Sequence, residues 1–402
     1  MFETDTGRWV DWLPLGDLAW PLVLLLAWLA GEWAYRALRL PRICVYALVG
    51  FVAAPTQLGW LPAPAPALAL YGANLAFGLI LFEFGYRINL RWFWRNPWLV
   101  AAGLLESLLT LLAVLSLARL FGLADLDAWL VAVLAMASSP AAILRVIHER
   151  QSAGQITERV LHLAALNCVL AVLAFKLLLG QFVFQQSGNL LQALYASSVV
   201  VMGSALLGLA AGALVPGLLR LLGGDRDCTP LFVLGVALLV ALTYSLRLSP
   251  IVAALAFGLT VRQQGIVFGR AQRGFGALGE LLSLLLFIFI ASRIDGPAAM
   301  AGLGLGIALV LVRLLAKAGA VALLARPSGT TVRKGLLTGL ALTPLSAFVI
   351  LLLEQTRHMG VALNLALPAL AAMVLVLELL GPAVLQLALR LGGELPDERE
   401  GG

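Results

Sequence analysis

Apolar runs of roughly 20 residues, broken by clusters of Arg, Asp, Gly and Pro, recur along the whole chain. Thirteen stand out, at approximately 17–38, 42–59, 66–85, 98–121, 127–147, 157–183, 190–222, 229–247, 250–264, 275–292, 297–325, 332–354 and 360–390. Each predicts a helix able to span a bilayer, with 42–59 and 250–264 the shortest. The loops that follow alternate in charge. After the odd-numbered runs come Arg36, Arg39 and Arg42, then Arg87, Arg91 and Arg95, then Arg145, Arg150 and Arg159. Arg220 and Arg226, Arg262, Arg270 and Arg273, and Arg326, Arg333 and Lys334 continue the series. The other side holds only Arg8, Arg119, Arg247, Arg293 and Arg357. Basic loops stay in the cytoplasm, so the asymmetry predicts an odd number of crossings, an external N-terminus and a cytoplasmic C-terminus. The fold class expected is an all-α polytopic membrane protein of about 13 transmembrane helices.

Composition agrees and excludes other classes. Hydrophobic residues make up 61% of the chain and charged ones 12%, with a mean hydropathy of +0.98, more apolar surface than a soluble fold can bury. The basic excess, 27 Lys and Arg against 21 acidic residues, follows from the positive-inside rule and gives no reason to expect nucleic acid. The N-terminus MFETDTGRWVDWLPLGD lacks a basic n-region, so no cleaved signal is expected. Three widely spaced cysteines do not form a disulfide or zinc framework, and no cofactor is expected. Arg87, Arg91 and Arg95, interleaved with Trp92, Trp94 and Trp98, describe a helix end anchored at the interface, with anionic lipid binding as the alternative. No nucleophile with a base, metal-ligand spacing or phosphate loop points to an enzyme.

Two runs are interrupted near their midpoints. DAWLVAVLAMASSPAAILRVI carries Ser138, Ser139 and Pro140, and VRKGLLTGLALTPLSAFVILLLE carries Thr343, Pro344 and Ser346. Proline removes a helical hydrogen bond, and a neighbouring hydroxyl is available to the freed carbonyl, an arrangement also common as a simple kink. The two breaks fall in the fifth of the first six runs and the fifth of the last six. Paired breaks in corresponding places predict two inverted six-helix repeats whose broken helices cross in a core, the layout of a secondary transporter with its site at the midplane. The run LHLAALNCVLAVLAFKLLLG adds polar groups at membrane depth, Asn167 and Cys168, with His162 and Lys176 towards its ends.

The residues also carry a resemblance. PRICVYALVGFVAAP, LAFGLILFEFGYRINL, SPIVAALAFGLTV, LSLLLFIFIASRID, VRLLAKAG, GLALTPLSAF and LELLGPAVL stand in an order that resembles the monovalent cation/proton antiporter superfamily. The likeness is to its sodium/hydrogen exchanger and potassium-efflux type membrane domain, over residues 40 to 390. It implies a thirteen-helix homodimer in a bacterial inner membrane, exchanging Na⁺ or K⁺ for protons by alternating access. In that layout 1–16 is an external N-terminus, 17–85 and 229–292 form a static dimerisation domain, and 190–222 is a linker helix. Segments 98–183 and 297–390 form the mobile core, and 391–402 is a cytoplasmic tail.

Where the family carries a cation-binding carboxylate after Asn167, this chain has Cys168. A thiol with a reference pKa of about 8.5 carries little charge at pH 7, and sulfur is a poor ligand for hard cations. The spans contain no Asp beyond the first residues of two runs, Asp17 and Asp127, so the candidates to replace that acid are glutamates. Glu106, mid-span in the fourth run, is the expected carrier, because the resemblance puts that helix beside Asn167. A structural ion pair with a buried cation is the other reading. Arg313 and Lys317, one turn apart on one helix face, are expected to set charge balance with Glu106 and Glu378, and His162 to act as a proton relay, a pH sensor or a packing residue. The expected pathway is lined by Ser138, Ser139, Pro140, Asn167, Cys168, Thr343, Pro344 and Ser346. The alternatives are a degenerate member that senses or scaffolds without transport, and a carrier of anions or organic solutes through a positively charged core.

Overall fold

The computed structural model describes residues 15–63, 67–180, 190–221, 229–266, 276–345, 349, 350, 352 and 368–396. Among these every regular element is a helix. In chain order they are α1 (Leu15–Leu38), α2 (Arg42–Val52), α3 (Ala67–Arg87), α4 (Leu90–Arg95), α5 (Pro97–Leu120), α6 (Asp125–Met136), α7 (Pro140–Arg150) and α8 (Gln155–Leu178). There follow α9 (Leu190–Leu221), α10 (Thr229–Ser245), α11 (Pro250–Gln263), α12 (Gly276–Ser292), α13 (Gly296–Ala301), α14 (Leu303–Leu323), α15 (Val332–Ala341) and α16 (Pro368–Leu391). Eight spans among the described residues are long and apolar enough to cross a membrane, and four shorter apolar helices accompany them. Leucines such as Leu25, Leu112, Leu206, Leu315 and Leu387 face outward, as a lipid-solvated surface requires.

The helices gather in two sets of neighbours. α11 packs against α3 and α9, and α12 against α2 and α3, with α1 on α2. α14 packs against α5, α15 and α16, while α8 touches α5, α6 and α15. Contacts of α3 with α7 and of α2 with α16 join the sets. The seam of α3 and α11 is set by glycine: a Cβ on Gly258 would fall on the Phe82 carbonyl and one on Gly85 on the Leu255 carbonyl, so the backbones touch directly.

Three apolar runs depart from straight helices for local reasons. In 42–59 the helix stops at Val52 and the chain turns back, Leu61 N–H donating to the Ala53 carbonyl at 2.9 Å. In 297–325 the helix restarts at Gly302, where a Cβ would strike the backbone of Pro368. The Arg87, Arg91, Arg95 series is also split, since α3 ends at Arg87 and Asn89 caps a new helix, α4, its side chain accepting from Trp92 N–H at 3.1 Å.

The two expected breaks are present. α6 ends at Met136, Ala137 is extended (ψ 159°), and Ser139 (φ −78°, ψ 109°) caps α7 with Pro140 at its first position. Proline pushes the preceding residue out of the α region yet suits the first turn of a helix, so Ser-Pro both ends one helix and starts the next. α15 ends at Ala341 and residues 343–345 run without helix. Ser346 and Glu354 lie outside the described residues, as do residues 1–14 and 397–402.

Candidate functional site

The two breaks meet. Ser139 N–H donates to the Pro344 carbonyl at 2.6 Å, and Ser138 Oγ to the Leu342 carbonyl at 2.9 Å, so each interrupted backbone supplies partners that the other lacks. Carbonyls left over at the ends of α6 and α15 point at one side chain. Arg313, fully buried on α14, donates to the carbonyls of Ala135 (2.9 Å), Ala137 (2.7 Å), Thr343 (2.9 Å) and Leu342 (3.2 Å). One turn on, Lys317 donates to the Met136 carbonyl at 2.9 Å and pairs with the Glu106 carboxylate of α5. α14 approaches α15 this closely because Gly339 has no Cβ; one there would press on Ala318 and the Lys317 carbonyl.

Glu106 continues the network. Ser107 Oγ lies 3.4 Å from Glu106 Oε2 and donates to Asn167 Oδ1 at 3.0 Å, tying α5 to α8. Asn167 Nδ2 and, one turn along α5, Thr110 Oγ1 are buried without a hydrogen-bond partner among the described residues. Glu106, Lys317, Asn167 and Cys168 are all 0% exposed, so the cluster is buried from solvent. Glu106, Ser107, Thr110 and Asn167 form an oxygen-bearing set on two adjacent helices, the donor type that hard monovalent cations take. Cys168 Sγ instead donates to the Ser138 carbonyl at 3.4 Å, a neutral thiol closing the gap between α8 and the break.

At the crossing Arg313 and Lys317 bring two positive charges and Glu106 one negative. The C-terminal ends of α6 and α15 present the negative poles of two helices to the cations, and the start of α7 at Pro140 brings a positive pole to the same break.

The other expected residues fall in different places. Pro140 is the first residue of α7, and Thr343 Oγ1 turns back to the Leu340 carbonyl. Glu378 does not join the charge balance expected of it: it is 3% exposed in α16, has no ion pair among the described residues, and its Oε1 has no hydrogen-bond partner there. His162 is engaged at both ring nitrogens, Nδ1 with the Glu158 carbonyl at 2.7 Å and Nε2 with Asn89 N–H at 3.0 Å. Its ring stacks on Phe93, so it holds α8 to the α3–α4 corner. Ser107 and Thr110 were missed in the sequence, although their spacing from Glu106, i+1 and i+4, puts them on or beside its face of α5.

A family profile described as sodium/hydrogen exchanger, transmembrane, matches residues 22–391. The chain belongs to the sodium/hydrogen exchanger family. Among solved structures, this exchanger resembles the sodium proton antiporter MjNhaP1 from Methanocaldococcus jannaschii at pH 8. The identity is 17%, covering 92% of this chain and 94% of that one, with a TM-score of 0.66. An electron-microscopy structure of the same antiporter gives 18% identity, 96% and 100% coverage and a TM-score of 0.71. At these identities the likeness is one of fold. No curated protein matches the exchanger's sequence. As a member of this family it is an integral membrane protein whose substrates are a cation and protons.

Proposed function

We propose that the chain exchanges Na⁺ or K⁺ for protons by alternating access, with Glu106 as the coupling carboxylate and Lys317 as the group that releases the proton. The observation that carries this reading is the buried Glu106–Lys317 pair at the crossing of two broken helices, flanked by Ser107, Thr110 and Asn167. An arriving cation takes Glu106 as its ligand, with hydroxyl and amide oxygens beside it. The Lys317 ammonium, deprived of its counter-charge in a dry site, then loses its proton: an N–H bond breaks, the electron pair stays on nitrogen, and water carries the proton away. The charge of the centre is the same before and after, so this pair alone exchanges one cation for one proton.

Alternating access fits the packing. The set containing α5, α6, α8, α14 and α15 holds the crossing together by hydrogen bonds, and it moves against α2, α3, α11 and α12 as a unit. The test is reconstitution in liposomes with internal pH followed on addition of Na⁺, K⁺ or Li⁺. A pH response that Glu106→Gln abolishes is the expected result; no response between pH 6 and 9, with an active relative as control, sinks the reading. Cys168 in the place of an acid favours one other reading, a family member that keeps the fold without transporting. A silent protein that gains exchange on Cys168→Asp would establish that one.

A further inference from the structure

Among the described residues, Glu378 is a buried glutamate beside the crossing that the exchange step does not use. It lies one turn before Gly381, which rests against Pro344: a Cβ on Gly381 would meet Pro344 Cα at 3.0 Å. Its helix, α16, packs against α2, α7, α13, α14 and α15, and the described charged groups on those elements are engaged elsewhere. On α2, Arg42 binds Glu32. On α7, Arg145 donates to Ser283, His148 contacts Glu83, Glu149 accepts from Arg42 N–H, and Arg150 donates to Gln386. On α14, Arg313 and Lys317 serve the crossing; on α15, Arg333 donates to the Leu391 carbonyl and Lys334 to Gln155. α13 carries no charge. α2 also carries Cys44, a buried free thiol. Among the described residues a carboxylate so placed has no counter-charge, and its Oε1 has no donor, so the neutral acid is the form these surroundings accept.

α2 packs against α16 and also borders a polar space: Ile43 and Tyr46 line a cavity of about 180 Å³ whose wall includes Arg145, Glu149, Glu280 and Ser283. The Tyr46 hydroxyl is buried without a partner among the described residues.

We infer that Glu378 is a second proton-binding group of this exchanger, loaded in the present conformation and filled and emptied through the cavity beside Tyr46. The inference rests on the cation/proton reading above. On release the O–H bond breaks, the electron pair stays on the carboxylate oxygen, and water in the cavity takes the proton. Added to the proton from Lys317, it makes two protons per cation and one net charge moved per cycle.

Infrared difference spectra of the purified full-length protein test loading without transport. Near neutral pH the wild type shows a protonated-carboxyl stretch that shifts in D₂O and is missing from Glu378→Gln; a wild type without that band overturns the assignment. In liposomes with the membrane potential set by K⁺ and valinomycin, wild-type Na⁺/H⁺ exchange responds to the potential and Glu378→Gln exchange does not. Glu378→Asp, which keeps an acid, keeps the response and shows that the fold tolerates change there. Exchange by the wild type that ignores the potential, or a Gln variant that responds as the wild type does, overturns the second proton. A protein that shows the band and exchanges nothing overturns the antiport reading, while the band still upholds Glu378 as a proton-binding group.

Discussion

Lys317 places its ammonium between the Glu106 carboxylate and the Met136 carbonyl, joining α14, α5 and the end of α6 at a point with no solvent exposure. Desolvating two charges is costly, and their attraction repays it only while both are present. Glu106→Gln and Lys317→Met should therefore each destabilise the protein by about 3–5 kcal/mol, with the double variant losing well less than the sum of the two. Unfolding of the detergent-solubilised variants measures this. Strict additivity would mean that the pair is not coupled.

Arg313 bonds four carbonyls from two separate breaks, a geometry that only a planar fork with five donors can meet. Arg313→Lys keeps the charge but leaves at least one buried carbonyl without a donor, so a loss of about 1–3 kcal/mol is expected. Hydrogen exchange should speed up at residues 138–139 and 342–345 before it does elsewhere. Uniform protection in the variant would contradict this role.

Much of this was legible in the sequence, and the rest was not for physical reasons. Apolar runs and Ser-Pro or Thr-Pro interruptions are local signals, so the helices and both breaks could be read from residues 138–140 and 343–344. Pairing across the fold has no local signal. That Lys317 meets Glu106 and Arg313 meets backbone depends on the approach of α14 to α5 and α15, which Gly339 permits. Carbonyl clusters such as Ala135, Met136 and Ala137 are invisible in any sequence, because every residue has the same carbonyl. Glu378 shows the opposite failure: a glutamate near basic helices invites a salt bridge, and the structure turns every described cation nearby towards another partner.

Cys168 touches the site through a single thiol–carbonyl contact at 3.4 Å. Cys168→Ala should cost about 1 kcal/mol in stability and leave cation/proton exchange in place, since neither oxygen ligand nor proton is removed. Liposome assays of that variant check the point, and loss of exchange would assign the thiol a direct part. Being 0% exposed, the thiol should also resist maleimide labelling until the protein is unfolded.

Glu394 caps α8 from beyond α16, its carboxylate accepting from Ile156 N–H at 2.6 Å, Thr157 N–H at 2.8 Å and Thr157 Oγ1 at 2.9 Å. Glu394→Ala should destabilise by about 1–2 kcal/mol, the loss of a cap and of a negative charge at a helix N-terminus. Limited proteolysis near residues 151–155 reads the effect, and cleavage at the wild-type rate would rule the cap out as a tether.

The bond from Ser138 to the Leu342 carbonyl spans 204 residues of chain. A ribosome therefore finishes the first broken helix long before its mate exists. Until α15 arrives, the interrupted stretch at 137–139 sits in or beside the membrane with polar backbone that lipid cannot satisfy. Birth order thus makes the nascent exchanger dependent on water, the insertion machinery or a chaperone at this one place, and a chain truncated before residue 342 should be removed by quality control rather than persist as half a bundle.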